Sequence, residues 1–286
     1  MGADDKIKAL SPRSGRGEEI YAERRRRTVD FQMATEHYHN HYELFYLVSG
    51  RCRVFIDHSL YHMEAGDMVL IAPLTIHHTR YGIAQESERI ALSFHEKYLV
   101  QMEEGCGCEI RKQMFSSGKL SIEPGRRSYL ENLMQKIQVE QETQDMFSGL
   151  LKKGYLCELF AFLARCGRES TQVEPTDVTE AEIQEAARYI CHHFAEPLTL
   201  LEVAARVHMT PTYFSRKFKR VAGIGYKEYL NHVRLREAAR LLLETDLSVT
   251  EIALACGFSD GNYFGDLFKK EKGISPRMYR KNPQIM

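Results

Sequence analysis

The last third of the chain writes one pattern twice, from Leu201-Glu-Val-Ala to Phe218-Lys219 and again from Thr250-Glu-Ile-Ala to Phe268-Lys269. In the first copy the Thr199 hydroxyl can cap a short helix whose Leu200, Val203, Ala204 and Val207 recur at helical spacing. Thr210 is a second cap, and Pro211 takes the first helical position, where a missing N–H costs nothing. The helix that follows buries Phe214, Phe218 and Val221, leaving Thr212, Tyr213, Ser215, Arg216, Lys217, Lys219 and Arg220 on its other faces. In the second copy Ser248 caps, Val249, Ile252 and Ala253 form the stripe, and Cys256-Gly257-Phe258 turns before Ser259. Tyr263 or Phe264, with Leu267 and Phe268, then faces inward. One residue is inserted between the copies, since Glu202 matches Glu251 but Phe214 matches Phe264. Each copy is a helix-turn-helix with an exposed second helix, the shape of a DNA recognition helix.

The paired motifs, with Gly257-Phe258-Ser259-Asp260, Tyr263-Phe264, Phe268-Lys269-Lys270 and Gly273-Ile-Ser-Pro-Arg-Met-Tyr-Arg280, resemble the AraC/XylS family of bacterial transcriptional regulators over roughly the last hundred residues. The resemblance implies a long helix joining two units that enter successive major-groove segments on one face of DNA. Tyr226 to Glu244 fits that helix, and at 1.5 Å per residue it spans about 30 Å, close to the ~34 Å of one duplex turn. By resemblance, Thr212, Ser215 and Arg216 read bases, with Arg216 able to grip guanine O6 and N7, while Lys217, Lys219 and Arg220 hold phosphates. In the second unit Gly265-Asp266 stands where the family has Ser or Cys followed by Arg, so Asn262 is the expected base reader and Lys269 and Lys270 the phosphate contacts. His208 replaces the usual turn glycine of the first unit, which is tolerable because His enters the left-handed region more readily than most side chains.

The whole chain is formally neutral, yet nine basic residues (Arg206, Arg216, Lys217, Lys219, Arg220, Lys227, Arg234, Arg236 and Arg240) face two acidic ones (Glu228 and Glu237) between positions 206 and 240. Lys269, Lys270, Lys272, Arg277, Arg280 and Lys281 form a second basic segment opposed only by Glu271. Such clusters supply phosphate contacts and counterion release.

At 286 residues the chain has room for two domains with separate cores. No apolar run reaches membrane-spanning length and no signal segment opens the chain, so a cytoplasmic protein with no membrane partner is expected. The seven cysteines, at 52, 106, 108, 157, 166, 191 and 256, are odd in number and scattered; they read as reduced buried thiols rather than a disulfide framework, with Cys157 and Cys256 inside apolar helical patterns. Residues 1–17 read as a disordered terminus, 18–166 as a sensing and dimerisation domain, 167–178 as a linker and 179–286 as the DNA-binding domain. Glu18 to Thr28, with its arginine run, reads as an arm or a solvated first strand. Short runs at 43–50, 51–57, 61–63 and 66–73, rich in aromatic and β-branched residues, predict antiparallel strands. Residues 126–165 switch to helix, with Leu130, Leu133, Met134 and Ile137, then Phe147, Leu150, Leu151, Leu156, Leu159, Phe160 and Leu163 available for packing. The fold class expected is α+β: an antiparallel barrel with two dimerisation helices, then an all-α domain with two helix-turn-helix units.

His37-x-His39-x-x-x-Glu43 followed by Gly50, then Gly66-Asp67 and Pro73 before His77, resembles the two motifs of a cupin barrel, the usual sensor domain of sugar-responsive AraC-type regulators. The second motif lacks the glycine that follows proline in metal-binding cupins. His37, His39, Glu43 and His77 are therefore candidate ligand-binding residues: hydrogen-bond partners of a small polar effector, ligands of a metal, or structural remnants. No nucleophile–base constellation, P-loop or dinucleotide motif is present.

The leading expectation is a homodimeric, effector-responsive regulator, not an enzyme and without a bound cofactor. It binds double-stranded promoter DNA, works with RNA polymerase and activates a carbohydrate-utilisation operon, with a sugar as the effector. The alternatives are a cupin metalloenzyme, oxygenase or isomerase, fused to a DNA-binding domain, and a metal- or redox-responsive regulator using the histidines or Cys106 and Cys108.

Overall fold

The computed structural model describes residues 19–27, 39–82, 86–107, 109–115, 118–166 and 178–281. The 1–17 terminus, His37, Cys108 and all but the last residue of the 167–178 segment lie outside them. The chain forms two compact units, one of residues 1–56 and 60–175, the other of 57–59 and 176–286.

In the first unit the strands are β1 (Ile20–Arg27), β2 (Tyr42–Ser49), β3 (Arg51–Ile56), β4 (Ser59–Glu64), β5 (Asp67–Ile71), β6 (His77–Tyr81), β7 (Ser87–Phe94) and β8 (Lys119–Ser121). They form a five-stranded sheet, ordered β1-β7-β2-β5-β8, and a three-stranded sheet, ordered β4-β3-β6. Strand β2 is buried on both faces, and the period of two sorts its residues. Phe45 and Leu47 join Val69 and Ile71 of their own sheet and Cys52, Val54, Met63 and Tyr81 of the other in a core between the sheets. Leu44 and Tyr46 point the opposite way, into a core shared with helices.

Those helices are α1 (Glu96–Cys106), α2 (Ile110–Phe115), α3 (Pro124–Thr143) and α4 (Ser148–Cys166). Leu130, Leu133, Met134 and Ile137 of α3 and Leu156, Leu159, Phe160 and Leu163 of α4 are buried against the sheet, each worth about 1.5–3 kcal/mol relative to exposure. The apolar stripe of α4 stops short of its first turn: Phe147 just before it, Leu150 and Leu151 are 56%, 70% and 39% exposed, contrary to the packing role the pattern suggested. Cys157 is exposed as well, so its apolar neighbourhood in sequence does not bury it; Cys256 is buried as expected.

The arginine run is a true strand. Residues 20–27 pair antiparallel with 87–94 along the whole length of β1, and the Arg24 guanidinium donates from Nε and Nη2 to the Glu88 carboxylate, both at 3.1 Å. Gly50 makes the β2–β3 turn with φ +85°, and a Cβ there would lie 2.8 Å from the Glu86 carbonyl oxygen, so only glycine fits.

The second unit is helical: α5 (Val178–His193), α6 (Leu200–Arg206), α7 (Pro211–Ala222), α8 (Tyr226–Glu244), α9 (Val249–Ala255), α10 (Gly261–Lys272) and α11 (Pro276–Lys281). Helix α8 spans the residues the sequence assigned to the connecting helix. Its Tyr226 and Tyr229 meet Phe214 and Phe218 of α7, with ring centroids 6.1 and 5.2 Å apart. Leu235, Ala238, Ala239 and Leu242 close a second core with Ile252, Ala253, Phe258, Phe264, Phe268 and Tyr279. Each end of α8 thus carries one helix-turn-helix, and a His232–Glu271 contact of 3.0 Å adds a buried polar tie between α8 and α10.

Candidate functional site

Local chemistry sets both recognition helices. The Thr199 hydroxyl accepts from the Glu202 amide while Glu202 reaches back to the Thr199 N–H, and Ser248 and Glu251 repeat this reciprocal box on α9. Thr210 caps α7, and Asp260, a cap the sequence reading did not identify, accepts from the amides of Asn262 and Tyr263 at the start of α10. The turns obey the expected conformations: His208 has φ +54° and Gly257 φ +81°. A Cβ at Gly257 would lie 2.7 Å from the Ala195 carbonyl oxygen, so the second turn requires glycine for space as well as for dihedral angle. The single inserted residue falls in the turn, since α6 and α9 are offset by 49 positions and α7 and α10 by 50.

Phe214 and Phe218, like Phe264 and Phe268, are fully buried, which fixes the outward arc of each recognition helix. On α7 Thr212, Tyr213, Arg216, Lys219 and Arg220 are exposed, and Ser215 is half-buried beside them. On α10 Asn262, Tyr263, Asp266, Lys269 and Lys270 occupy the matching arc. The question of Tyr263 or Phe264 is resolved for Phe264: Tyr263 is 45% exposed.

The basic runs divide on folding. Lys217 faces inward and is 9% exposed, unlike its expected place among the phosphate contacts; its i, i+3 relation to Phe214 puts it on the packed side of the helix. Lys272 is buried too, and burial lowers its pKa from the ordinary lysine value. Arg234 donates to the Phe194 and Glu196 carbonyls, both at 2.8 Å, and Arg280 donates to the Leu242 and Leu247 carbonyls. Arg240 is tied to Glu237 and Glu244. These cations terminate helices or pair along α8, which leaves Arg216, Lys219 and Arg220 of α7 and Lys269 and Lys270 of α10 as the exposed positive charge of the recognition helices.

In the first unit the space between the sheets holds a polar group at one end of an apolar core. His39 Nε2 lies 3.3 Å from a Glu43 carboxylate oxygen, His41 stacks on His39 with centroids 3.9 Å apart, and the His77 ring is 4.9 Å from that of His39. His39, Glu43 and His77 are thereby brought together, and His41, which is not among the sequence candidates, joins them. Positions 39, 41 and 43 share parity, the signal that could have found it. Arg89 enters from β7, 3.7 Å from Glu23 and 4.0 Å from Glu43, with its guanidinium 5.6 Å from the Phe45 ring centre. Neither Arg89 nor Glu23 stands near the histidines in sequence; only the β1-β7-β2 register assembles them.

The imidazoles are oriented by backbone. His39 Nδ1 is 2.8 Å from the His41 carbonyl oxygen and His77 Nδ1 is 3.0 Å from that of Thr75. A carbonyl only accepts, so each Nδ1 carries a proton and each ring turns its Nε2 away from that carbonyl. Burial works to raise the Glu43 pKa, but the hydrogen bond with His39 and the charges of His39, Arg89 and His77 outweigh it and hold the carboxyl well below the usual carboxylate range. The ligand atoms of His39, His41 and Glu43 all lie within 4.8 Å of one another. The imidazoles of His39 and His41 and the half-buried Glu43 carboxylate are donors that a divalent transition metal takes, and the same groups suit a ligand rich in hydroxyl groups. Cys106 is exposed at the end of α1, its thiol against the Met102 and Glu103 carbonyls.

Residues 203–282 match the family model of a helix-turn-helix domain, and residues 30–82 match that of a cupin domain. YijO of Escherichia coli, an HTH-type transcriptional regulator, is 40% identical over 111 residues, 39% of each chain. YisR of Bacillus subtilis, also an HTH-type transcriptional regulator, is 27% identical over 255 residues, covering 84% of this chain and 85% of that one. The HTH-type transcriptional activator RhaS of Klebsiella pneumoniae is 37% identical over 123 residues, 43% of this chain and 44% of its own. The chain therefore spans about two fifths of the length of YijO and RhaS and most of YisR. Among solved structures, the C-terminal domain of AraT from Geobacillus stearothermophilus is 39% identical over 35% of this chain and 84% of that one, with a TM-score of 0.35. The DNA-binding domain of AdpA, solved with a target DNA, is 30% identical over 36% of this chain and 97% of its own, also at a TM-score of 0.35. No helix among the described residues is long and apolar enough to cross a membrane. With a cupin-domain match ahead of a helix-turn-helix match, and two capped helix-turn-helix units on one connecting helix, the chain is similar to DNA-binding transcription regulators of the AraC type.

Proposed function

We propose that this DNA-binding regulator is controlled by a small polar effector held between its sheets, and that it activates transcription of genes for carbohydrate use. The observation that carries the reading is the polar group of buried His39 and His77 with half-buried Glu43, Arg89 and Glu23 beside Phe45. A sugar is recognised by this combination of carboxylate, guanidinium and imidazole with an aromatic face. Activation and a carbohydrate target rest on similarity to RhaS.

On DNA, Arg216 reads guanine with Thr212 and Ser215 beside it, Asn262 serves the second half-site, and Lys219, Arg220, Lys269 and Lys270 hold phosphates. Two copies bind together, which the exposed Phe147, Leu150 and Leu151 at the start of α4 support. Ligand binding must prefer one arrangement of the protein over another, because equal affinity for both shifts nothing. RNA polymerase is the partner of the DNA-bound form, and the cytoplasm is its place of action.

A metal-responsive form of the same reading is favoured by the grouping of the His39, His41 and Glu43 donor atoms. A metal would be held by His39, Glu43 and His77 with His41, and would supply a charge that orients the effector or reports on the metal itself.

The test is selection of bound duplexes from a random pool by the full-length protein, repeated with a panel of sugars and with divalent metals, after metal analysis of the purified protein. Enrichment of two repeats, each with preferences in segments about one turn apart, and a shift in affinity with one sugar support the proposal. A response to metal alone transfers the role to the metal. No response to either, with intact DNA binding, refutes effector control through this site.

A further inference from the structure

We propose that Tyr263, positioned by Asn231, donates its hydroxyl proton to a backbone phosphate of the DNA and anchors the second helix-turn-helix unit, a proposal that rests on the chain's reading as a DNA-binding regulator. The two recognition helices superpose in sequence at a shift of fifty residues: caps Thr210 and Asp260, core Phe214 and Phe264, C-caps Gly223 and Gly273. Tyr213 and Tyr263 hold the same third position and are each 45% exposed, so neither side chain is there to fill the core.

Their neighbours differ in charge. The first unit has a neutral Thr210 cap and, a turn and a half further on, the Arg216 cation. The second has two carboxylates at these places: Asp260, which already accepts from the first amides of α10, and the exposed Asp266. Both repel phosphate, and the helix amides that would otherwise hold an anion face Asp260 instead. A contact near this end of α10 must come from a neutral donor.

Tyr263 is built as one. Asn231, from the middle of α8, donates from Nδ2 to the Tyr263 hydroxyl oxygen at 3.2 Å. The oxygen accepts there, so its own proton is left to point elsewhere. The ring is braced by Phe258, with centroids 6.4 Å apart. At about 100° per residue, Tyr263 and Lys270 lie only ~20° apart around the helix, so a hydroxyl and an ammonium share the same edge of the exposed arc. Asn262 and Asp266 lie nearer its middle, where base edges are met. Geometry and charge together make Tyr263 a backbone contact and Asn231 its positioning residue.

The experiment uses the full-length protein and a duplex selected as above, with phosphate-ethylation interference, affinity measurement and base-preference profiling on the unchanged protein, Tyr263→Phe, Asn231→Ala and the double variant. Tyr263→Phe is expected to lose about ten-fold in affinity, to become indifferent to ethylation at one phosphate of the second half-site, and to keep its base preferences. Asn231→Ala should lose part of that affinity alone and almost none in the Tyr263→Phe background. An unchanged ethylation pattern in Tyr263→Phe, or an equal cost of Asn231→Ala in both backgrounds, overturns the proposal while leaving DNA binding intact. Failure of the unchanged protein to select any duplex overturns both the proposal and the reading beneath it.

Discussion

Lys217, Lys219 and Arg220 are near neighbours in sequence, but the fold treats them differently, and salt dependence makes the difference measurable. Lys219 and Arg220 are exposed on α7, whereas Lys217 is 9% exposed on the side of Phe214 and Phe218. Each phosphate contact on duplex DNA contributes about −0.9 to the slope of log affinity against log salt. Replacing both Lys219 and Arg220 by Ala should therefore make the slope shallower by about 1.8. Between 50 and 200 mM salt, a ratio whose logarithm is about 0.6, the salt sensitivity of binding should fall roughly twelve-fold. Lys217→Met, which keeps the buried stem and removes the charge, should leave the slope unchanged. Fluorescence-anisotropy titrations at four or five salt concentrations on a selected duplex give all three slopes. A loss of about one unit in Lys217→Met would refute the argument, because it would place that ammonium on the DNA despite its burial.

Arg216→Ala should weaken binding to the selected site by ~1–3 kcal/mol, roughly 5- to 150-fold, and relax preference at one base pair; an equal loss on every sequence in a competition assay would make Arg216 a phosphate contact. Gly257→Ala must place a Cβ 2.7 Å from the Ala195 carbonyl oxygen at φ +81°, so calorimetry should register a loss of at least ~1–2 kcal/mol from the backbone conformation alone, whereas an unshifted transition would show that the turn relaxes freely. The folded-state pKa of Glu43 is lowered, so its ionisation contributes stability above the unfolded value of about 4.3 that is lost as pH falls through the folded value. The stability advantage of the unchanged protein over Glu43→Gln should hence be full near pH 7 and shrink below about pH 4, and a pH-independent difference in denaturant midpoints would contradict it. Leu150→Lys should shift sedimentation toward monomer without altering the thermal transition, since Leu150 is 70% exposed; an unchanged sedimentation coefficient would exclude this face from dimerisation.

Much of the DNA-binding half was legible in sequence because its signals are local. Helix caps, a proline at the first helical position and phenylalanines four apart act within a few residues of one another, so Thr199, Thr210, Ser248 and the bounds of α8 could be read without any tertiary information. The left-handed His208 and Gly257 followed from the turn they had to make. Charge was legible only as a total: which cation reaches solvent depends on helix rotation and on carbonyls elsewhere in the fold, so the buried Lys217 and Lys272 and the inward Arg234 and Arg280 departed from the reading.

The barrel divides in the same way. Strands β2 to β5 were legible from their aromatic and β-branched runs and from Gly50 between two of them, whereas β6, β7 and β8 were not, and His39, Glu43 and His77 were singled out by a spaced motif. The company they keep was decided by strand register, which brought Arg89 and Glu23 across two neighbouring strands, and by backbone carbonyls that orient the imidazoles. Sequence alone determined the two helix-turn-helix units, their connecting helix and strands β2 to β5, since short-range propensity and periodicity act along the chain. Tertiary structure decided which polar groups are buried and which face outward, because burial and electrostatic pairing depend on residues that meet only after the chain has folded.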